Sequence, residues 1–352
     1  MSDLDRLDRL AALDGSSMMG LLQSFPAQVA GAAQVAKTLS LPAFPGIANV
    51  VVCGMGGSAM GGDVIRAAVA AALRVPMSVI RDYCIPGFIN SSSLVFASSY
   101  SGNTEETLSA YEQARTAGAA IICLTSGGKL ASLARSHKYP VMQLPAGLPP
   151  RAALGYSTAM LLGAMSALGL VPDMTTVMQE TSDLLTRLTL RYGPAEVEHN
   201  NHAKKIARSL HGRLVVVYAS CSLLDPAAVR WRGQLEENAK TLAFHHLLPE
   251  MNHNEIVGWE FPQELLGKIG VVFLRDHGDH PQVQRRFDLT MEVVRRKAGV
   301  VHEVWSEGDS LLARIFSVIC LGDFVSFYLA CLNSVDPTPV AVIETLKQKL
   351  GG

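Results

Sequence analysis

The sequence predicts an α/β protein of two tandem domains, each a doubly wound five-stranded parallel sheet flanked by helices. Three observations carry that expectation. The chain has 352 residues, too many for one average domain and suited to two of roughly 150. In its first half, short apolar runs alternate with Gly/Ser-rich turns and helical patterns, the order of parallel βαβ units. The second half repeats this order in weaker form.

Each element follows from a local signal. The segment before Asn49 reads as helices, interrupted at Pro26 and ended near Pro42. Strands are expected at Asn49–Cys53, Met77–Ile80, 94–99, Ala120–Thr125 and 139–144, and five strands fit one doubly wound sheet. In the second half Val215-Val216-Val217 matches Val51-Val52, and Val271-Val272-Phe273 matches Leu94-Val95-Phe96. After the second run of each pair come a helix, a glycine (Gly118 or Gly299) and a strand, Val300–Trp305 in the later copy, which reads as an internal duplication. Residues 168–211 lack a Gly/Ser-rich or charged low-complexity run, so the joint is expected to be helical. Residues 158–174 read as a buried helix, since Gly163, Gly169 and Pro172 leave the stretch short of the roughly 20 residues a membrane span requires. Residues 310–332 and 339–350 read as closing helices.

Composition removes several classes of function. Hydrophobic residues make up 49% and charged residues 17%, enough apolar surface for a packed chain and little sign of disorder. Lys and Arg total 30 against 31 Asp and Glu, so no broad basic field exists for nucleic acid or an anionic membrane, and any anion site must be local. Residues 1–10 alternate Asp and Arg with Leu and lack the apolar core of a secretory signal, so a cytoplasmic location is expected. Six scattered cysteines without a CxxC pair suit reduced thiols in that compartment.

The most specific segment is Ser98-Ser99-Tyr100-Ser101-Gly102-Asn103-Thr104-Glu105-Glu106-Thr107, between a buried strand and a helix starting near Thr104. A helix N-terminus offers unpaired N–H groups and partial positive charge, so Ser99, Ser101 and Thr104 added as donors make a phosphate cradle. One N-cap would need only Ser101 or Asn103, and three spaced hydroxyls exceed that need. The glycine cluster Gly54-Met55-Gly56-Gly57-Ser58-Ala59 follows the first strand. With Asp82 it fits a loose dinucleotide pattern; in the other reading Gly57 and Ser58 let a sugar approach the backbone.

Asp225-Pro226 opens a helix on which Arg230, Gln234 and Glu237 share one face, presented either to a pocket or to solvent. Glu250-Met251-Asn252-His253-Asn254-Glu255 lies further on, after His245 and His246, and its spacing makes no HExxH metal site. His253 is an acid–base candidate near neutral pH. Pro149-Pro150-Arg151 follows the first domain's last strand, where Arg151 can reach the mouth of the sheet.

With these segments in view, the sequence resembles the bifunctional phosphoglucose/phosphomannose isomerases, a branch of the sugar-isomerase (SIS) superfamily with two tandem SIS domains. The carriers, in order, are Gly54-Met55-Gly56-Gly57-Ser58, Ser99 to Thr107, Pro150-Arg151, Glu237-Asn238-Ala239-Lys240 and Asn252-His253-Asn254-Glu255. The resemblance implies that Ser99, Ser101 and Thr104 hold a sugar phosphate while Gly57 and Ser58 line the sugar. It further implies that Glu237 is the catalytic base, that Arg151 stabilises the intermediate, and that His253 opens the sugar ring from the neighbouring subunit of a homodimer. A site lysine near the C-terminus best matches Lys347, with Lys349 close by. The expected organisation is N-terminal helices over 1–48, a first SIS domain with the cradle over 49–170, and a second with Glu237 and His253 over 171–352. Asp276-His277-Gly278-Asp279-His280 stands where a second cradle would lie, and two carboxylates there would repel a phosphate. The expected activity is aldose–ketose isomerisation of glucose 6-phosphate and/or mannose 6-phosphate with fructose 6-phosphate through a cis-enediol(ate), with no metal, no redox cofactor, and neither nucleic acid nor membrane as partner. Two alternatives stand beside it, a non-catalytic sugar-phosphate-binding SIS protein and a dinucleotide-dependent oxidoreductase.

Overall fold

Residues 2–350, described in a computed structural model, build two separate parallel sheets, each with its own helices. One unit comprises Ser24–Leu184 and Gly308–Ala313; the other holds the residues up to Gln23, Leu185–Glu307, and the chain from Arg314 onward.

In the first unit a helix α1 (Phe25–Lys37) precedes β1 (Asn49–Cys53), α2 (Gly56–Ala68), β2 (Met77–Ile80) and β3 (Ser93–Ser98). Then come α3 (Glu105–Thr116), β4 (Ala120–Thr125), α4 (Gly128–Ser136), β5 (Val141–Gln143) and α5 (Leu154–Ala167). The strand order is β2-β1-β3-β4-β5, all parallel. Val50, Val51 and Val52 on β1 and Leu94, Val95 and Phe96 on β3 are fully buried, because helices cover both faces of the sheet. The chain leaves β1 toward β2 and returns to β3 on the other side. This reversal makes β1/β3 a topological switch point, where the loops after the two strands diverge and open a crevice at their carboxyl ends. Helix α5 is almost wholly apolar and buried, and ends at Ala167; the stretch beyond it turns at Gly169, so the single helix expected over 158–174 is shorter.

Helix α6 (Thr175–Tyr192) begins in this unit and its later turns belong to the second, where α7 (His202–Leu210), β6 (Leu214–Ser220), α8 (Asp225–Glu237) and β7 (Ala243–Leu248) follow. Next are β8 (Ile269–Arg275), α9 (Pro281–Arg295), β9 (Val300–Trp305), α10 (Leu311–Leu332) and α11 (Ala341–Leu350). The order β7-β6-β8-β9 is again parallel, with its switch point at β6/β8. This sheet has four strands among the described residues, a correction to the five expected. After β9 the chain enters α10, whose 22 residues are long and apolar enough to cross a membrane by length and composition but lie buried in the protein, and no chain returns to extend the edge.

Tyr218, Phe273, Phe287, Val294 and Trp259 form the core of the second unit on one face of its sheet. Lys204 on α7 is completely buried, its Nζ donating to Asp5 Oδ1 (3.1 Å) and to the carbonyls of Pro194 (3.0 Å) and Glu196 (2.7 Å). All six cysteines are free, and burial pushes the thiols of Cys53, Cys123 and Cys331 up to about 12.

Candidate active site

The switch point of the first sheet gathers six of the residues singled out from the sequence. β3 ends at Ser98, whose Oγ donates to the carbonyl of Ser58 (2.8 Å). Ser58 Oγ in turn accepts from the Tyr100 N–H (2.9 Å), so the turn after β1 and the turn after β3 are bonded to one another. Within the second turn Ser99 is buried. Its Oγ lies 2.8 Å from Thr104 Oγ1 and accepts from the Gly102 N–H (3.1 Å), while Ser101 Oγ accepts from the Asn103 N–H (3.2 Å). Gly102 sits at φ +70°, the left-handed region that glycine adopts without strain, and this folds the loop back over the start of α3. Thr104 is the N-cap of α3 yet makes no cap bond, so the first-turn N–H groups of that helix lack a side-chain acceptor. Three hydroxyls and a positive helix end therefore converge, which is the chemistry of an anion cradle.

Gly57 and Arg151 join the same edge. A Cβ on Gly57 would lie 2.8 Å from the Pro150 carbonyl oxygen and 3.1 Å from the Arg151 Cα, so the backbone of the short 3-10 helix Pro150–Ala153 passes against the start of α2. Arg151 is buried, and the Gln28 side chain fixes its helix by donating to the Ala152 carbonyl (2.8 Å). Asn103, one of the two N-cap candidates, does not cap the helix, since Thr104 occupies that position, and Tyr100 stood out only as a member of the segment. Asn103 Oδ1 accepts from the Lys129 N–H (3.0 Å), and the Tyr100 hydroxyl donates to the Pro145 carbonyl (2.7 Å) and accepts from the Leu148 N–H (2.8 Å). These bonds brace the hydroxyl turn, and membership of the motif is the one sequence signal for Tyr100. Asp82, the residue a dinucleotide would require, is exposed in the loop after β2 and accepts from the Cys84 N–H (3.3 Å).

In the second unit Glu237 is the last residue of α8 and half-buried. Because α8 crosses from the carboxyl end of β6 to the amino end of β7, Glu237 stands at the amino edge of the sheet. His253 ends a 3-10 helix, Glu250–His253, just past the carboxyl end of β7, and is exposed. At about 3.3 Å per residue, β7 separates the two by roughly 20 Å. Arg230 and Gln234, expected to share a face with Glu237 toward a pocket or solvent, face neither. Both are buried, and their side chains donate to Asp323 of α10, Arg230 through Nε (3.0 Å) and Nη2 (2.7 Å), Gln234 through Nε2 (3.0 Å). His245 and His246 lie on edge strand β7 and so point to opposite faces. His246 Nδ1 meets Glu255 Oε2 at 2.6 Å, and Glu255 also accepts from the Tyr218 hydroxyl. Among the described residues no three His, Cys, Asp or Glu side chains are grouped to hold a metal ion.

The switch point of the second sheet has a different chemistry. Asp276, buried, accepts from the Gly278 N–H (2.7 Å) and pairs with Arg314 Nη1 (3.2 Å). Asp279 accepts from Ser222 Oγ (3.0 Å), and burial raises its carboxyl above the ordinary range. Lys347 and Lys349 both sit on α11, every residue of which is exposed, and two helix positions set them about 200° apart.

Two tandem α/β units, each a parallel sheet with its own helices, are the architecture of the tandem sugar-isomerase proteins, and known proteins share it. Residues 199–350 match the bacterial phosphoglucose isomerase C-terminal SIS domain. A glucose-6-phosphate isomerase-like protein from Thermus thermophilus superposes with a TM-score of 0.66 at 19% identity, covering 99% of both chains. The bifunctional phosphoglucose/phosphomannose isomerase of Caldicellulosiruptor bescii is 42% identical over 95% of this chain and 98% of its own. That of Aquifex aeolicus is 37% identical over 86% and 90%. The chain belongs to the family of bifunctional phosphoglucose/phosphomannose isomerases.

Proposed function

We propose that this protein interconverts glucose 6-phosphate and mannose 6-phosphate with fructose 6-phosphate, as a cytoplasmic homodimer. The observation that carries the reading is the closed hydroxyl turn at the β1/β3 switch point, in a chain 42% identical along nearly its whole length to an enzyme of that name. Ser99, Ser101 and Thr104 with the N-terminus of α3 take the phosphate, and Gly57 and Ser58 line the sugar.

Isomerisation moves a proton between C1 and C2 through a cis-enediol(ate). In this proposal the Glu237 carboxylate removes the proton from one carbon and returns it to the other, and Arg151 offsets the negative charge on the developing oxyanion. A planar enediol accepts the proton on either face at C2, so one base serves both aldoses. His253 moves protons at the ring oxygen and the anomeric hydroxyl, and Lys347 is the site lysine of the C-terminal helix. The roughly 20 Å between Glu237 and His253 favours a His253 donated by a second copy. So do the exposed apolar side chains Val342, Leu346 and Leu350, which recur every fourth residue on α11.

The test is to supply fructose 6-phosphate in the presence of EDTA and identify every hexose phosphate formed by the wild type, Glu237→Gln and Glu236→Gln. Both aldose phosphates should appear with the wild type. Glu237→Gln should lose about 10²–10⁴-fold in kcat for both together, and Glu236→Gln, about 100° round the helix, should be nearly silent. Ordinary turnover by Glu237→Gln would remove the base assignment, and absence of either aldose would remove the dual specificity.

A further inference from the structure

The end of α8 is held more firmly than a helix terminus needs. Along its buried face, Trp231 Nε1 donates to the Val318 carbonyl (2.8 Å), Arg230 and Gln234 grip Asp323, and Asn238 Nδ2 donates to Ser326 Oγ (3.0 Å), all on α10. Three residues past Glu237 the chain turns through Lys240 at φ +53°. A helix that ends in the left-handed region ordinarily has glycine or asparagine there, because a Cβ makes that conformation costly. Lysine at this position points to a use for its side chain.

That use is visible in its hydrogen bonds. Lys240 Nζ donates to the carbonyl oxygens of Glu237 (2.7 Å) and Asn238 (3.3 Å), and to those of Asp336 (3.0 Å) and Pro337 (3.2 Å). The first pair are last-turn carbonyls of α8, where a cation is favoured by the helix dipole. The second pair lie just ahead of α11, the helix of Lys347. One ammonium thus ties the main chain at Glu237 to the segment from which α11 departs.

We infer that Lys240 is a positioning residue for the isomerisation, fixing the backbone from which the Glu237 carboxylate extends. The inference rests on Glu237 as the base. The ladder to α10 sets the axis of α8, and Lys240 sets the rotation and height of its last residue. Removing the ammonium leaves the phosphate cradle untouched, since every residue of the cradle belongs to the other unit. The loss therefore falls on kcat rather than on KM.

The experiment measures kcat, KM for fructose 6-phosphate and Tm for Lys240→Gly, Lys240→Met, Lys240→Arg, Glu237→Gln and the double variant Lys240→Met/Glu237→Gln. Lys240→Gly suits the left-handed backbone and keeps the fold, so its loss isolates the ammonium. Lys240→Gly and Lys240→Met should each lower kcat by about tenfold or more with KM within about twofold, and Lys240→Arg should recover most of it. In the Glu237→Gln background Lys240→Met should cost nothing further, because the group it positions is already disabled. Wild-type kcat in Lys240→Gly beside an impaired Glu237→Gln would overturn the inference alone, as would losses that multiply in the double variant. An active Glu237→Gln would remove the base assignment itself, and the inference with it.

Discussion

Replacing Gly57 by alanine tests how closely the turn after β1 and the Arg151 segment must approach. The added Cβ would sit 2.8 Å from the Pro150 carbonyl oxygen, 3.0 Å from its carbon and 3.1 Å from the Arg151 Cα. Ordinary contact begins near 3.4 Å, so the two backbones must part by about 0.6 Å, and no flexible side chain is available to yield. Overpacking of this kind costs ~1–3 kcal/mol, and alanine returns up to about 1 kcal/mol as the better helix former on α2. Stability should therefore fall by no more than about 3 kcal/mol. Catalysis is the more sensitive readout, because groups at a reacting centre must hold position to about 0.5 Å and a 1 Å error costs on the order of 10²-fold. A drop in kcat/KM of about tenfold is expected from the Arg151 shift. Gly31 on α1 has nothing within 4 Å of its Cβ position, so Gly31→Ala is the control and should gain about 0.5–1 kcal/mol with unchanged kinetics. The assay pairs thermal unfolding with steady-state conversion of fructose 6-phosphate. If Gly57→Ala behaves like Gly31→Ala in both, the close approach has no bearing on the site.

Replacing Ser101 and Thr104 together by alanine should raise KM for the sugar phosphate by more than about tenfold, since charge-assisted hydrogen bonds contribute ~1.5–3 kcal/mol each; an unchanged KM would place phosphate binding elsewhere. Asp323→Ala strands the buried Arg230 guanidinium and should destabilise the second unit by about 3–5 kcal/mol, read as a large fall in its urea midpoint, and a shift within about 1 kcal/mol would mean that water reaches Arg230. Burial holds the imidazoles of His202, His245 and His302 below their ordinary 6.5. Each accepts a proton more readily in the unfolded chain, so their contribution is complete above about pH 6.5 and is lost as pH falls below it toward their lower folded values. Tm should hold above about pH 7 and decline toward pH 5, with His302→Gln shallowing the slope; a Tm unchanged over that interval would refute the linkage.

The first sheet was legible because both faces of its strands are buried, which writes them as unbroken apolar runs such as Val50-Val51-Val52 and Leu94-Val95-Phe96. Strand β7 escaped the same reading. It is an edge strand with two histidines at its centre and Phe244 half exposed, so no run or alternation marks it. The hydroxyl turn was readable because Ser99, Ser101 and Thr104 are neighbours in sequence. The fate of Arg230 and Gln234 was not, because a helical wheel gives the face they share but not what lies opposite, and Asp323 is 93 residues away from Arg230. An aspartate inside the apolar stretch of α10 was the one local sign that a buried cation waited for it.

The second unit is assembled from three stretches of chain, and Lys204 joins the earliest of them, at Asp5, to the loop at Pro194 and Glu196. Synthesis delivers these pieces far apart in time. The first unit is nearly continuous and its sheet is complete by Gln143, whereas the helices Leu7–Leu13 and Met18–Gln23 are made well before the rest of their own unit, which resumes at Leu185. Leu4 and Leu10 are buried in the folded protein, and Asp5 between them meets Lys204 only once α7 has been made. During that interval the acidic and basic residues that alternate with leucine over the first ten positions keep the segment in water, a burden that a purely apolar segment destined for the same core would not bear.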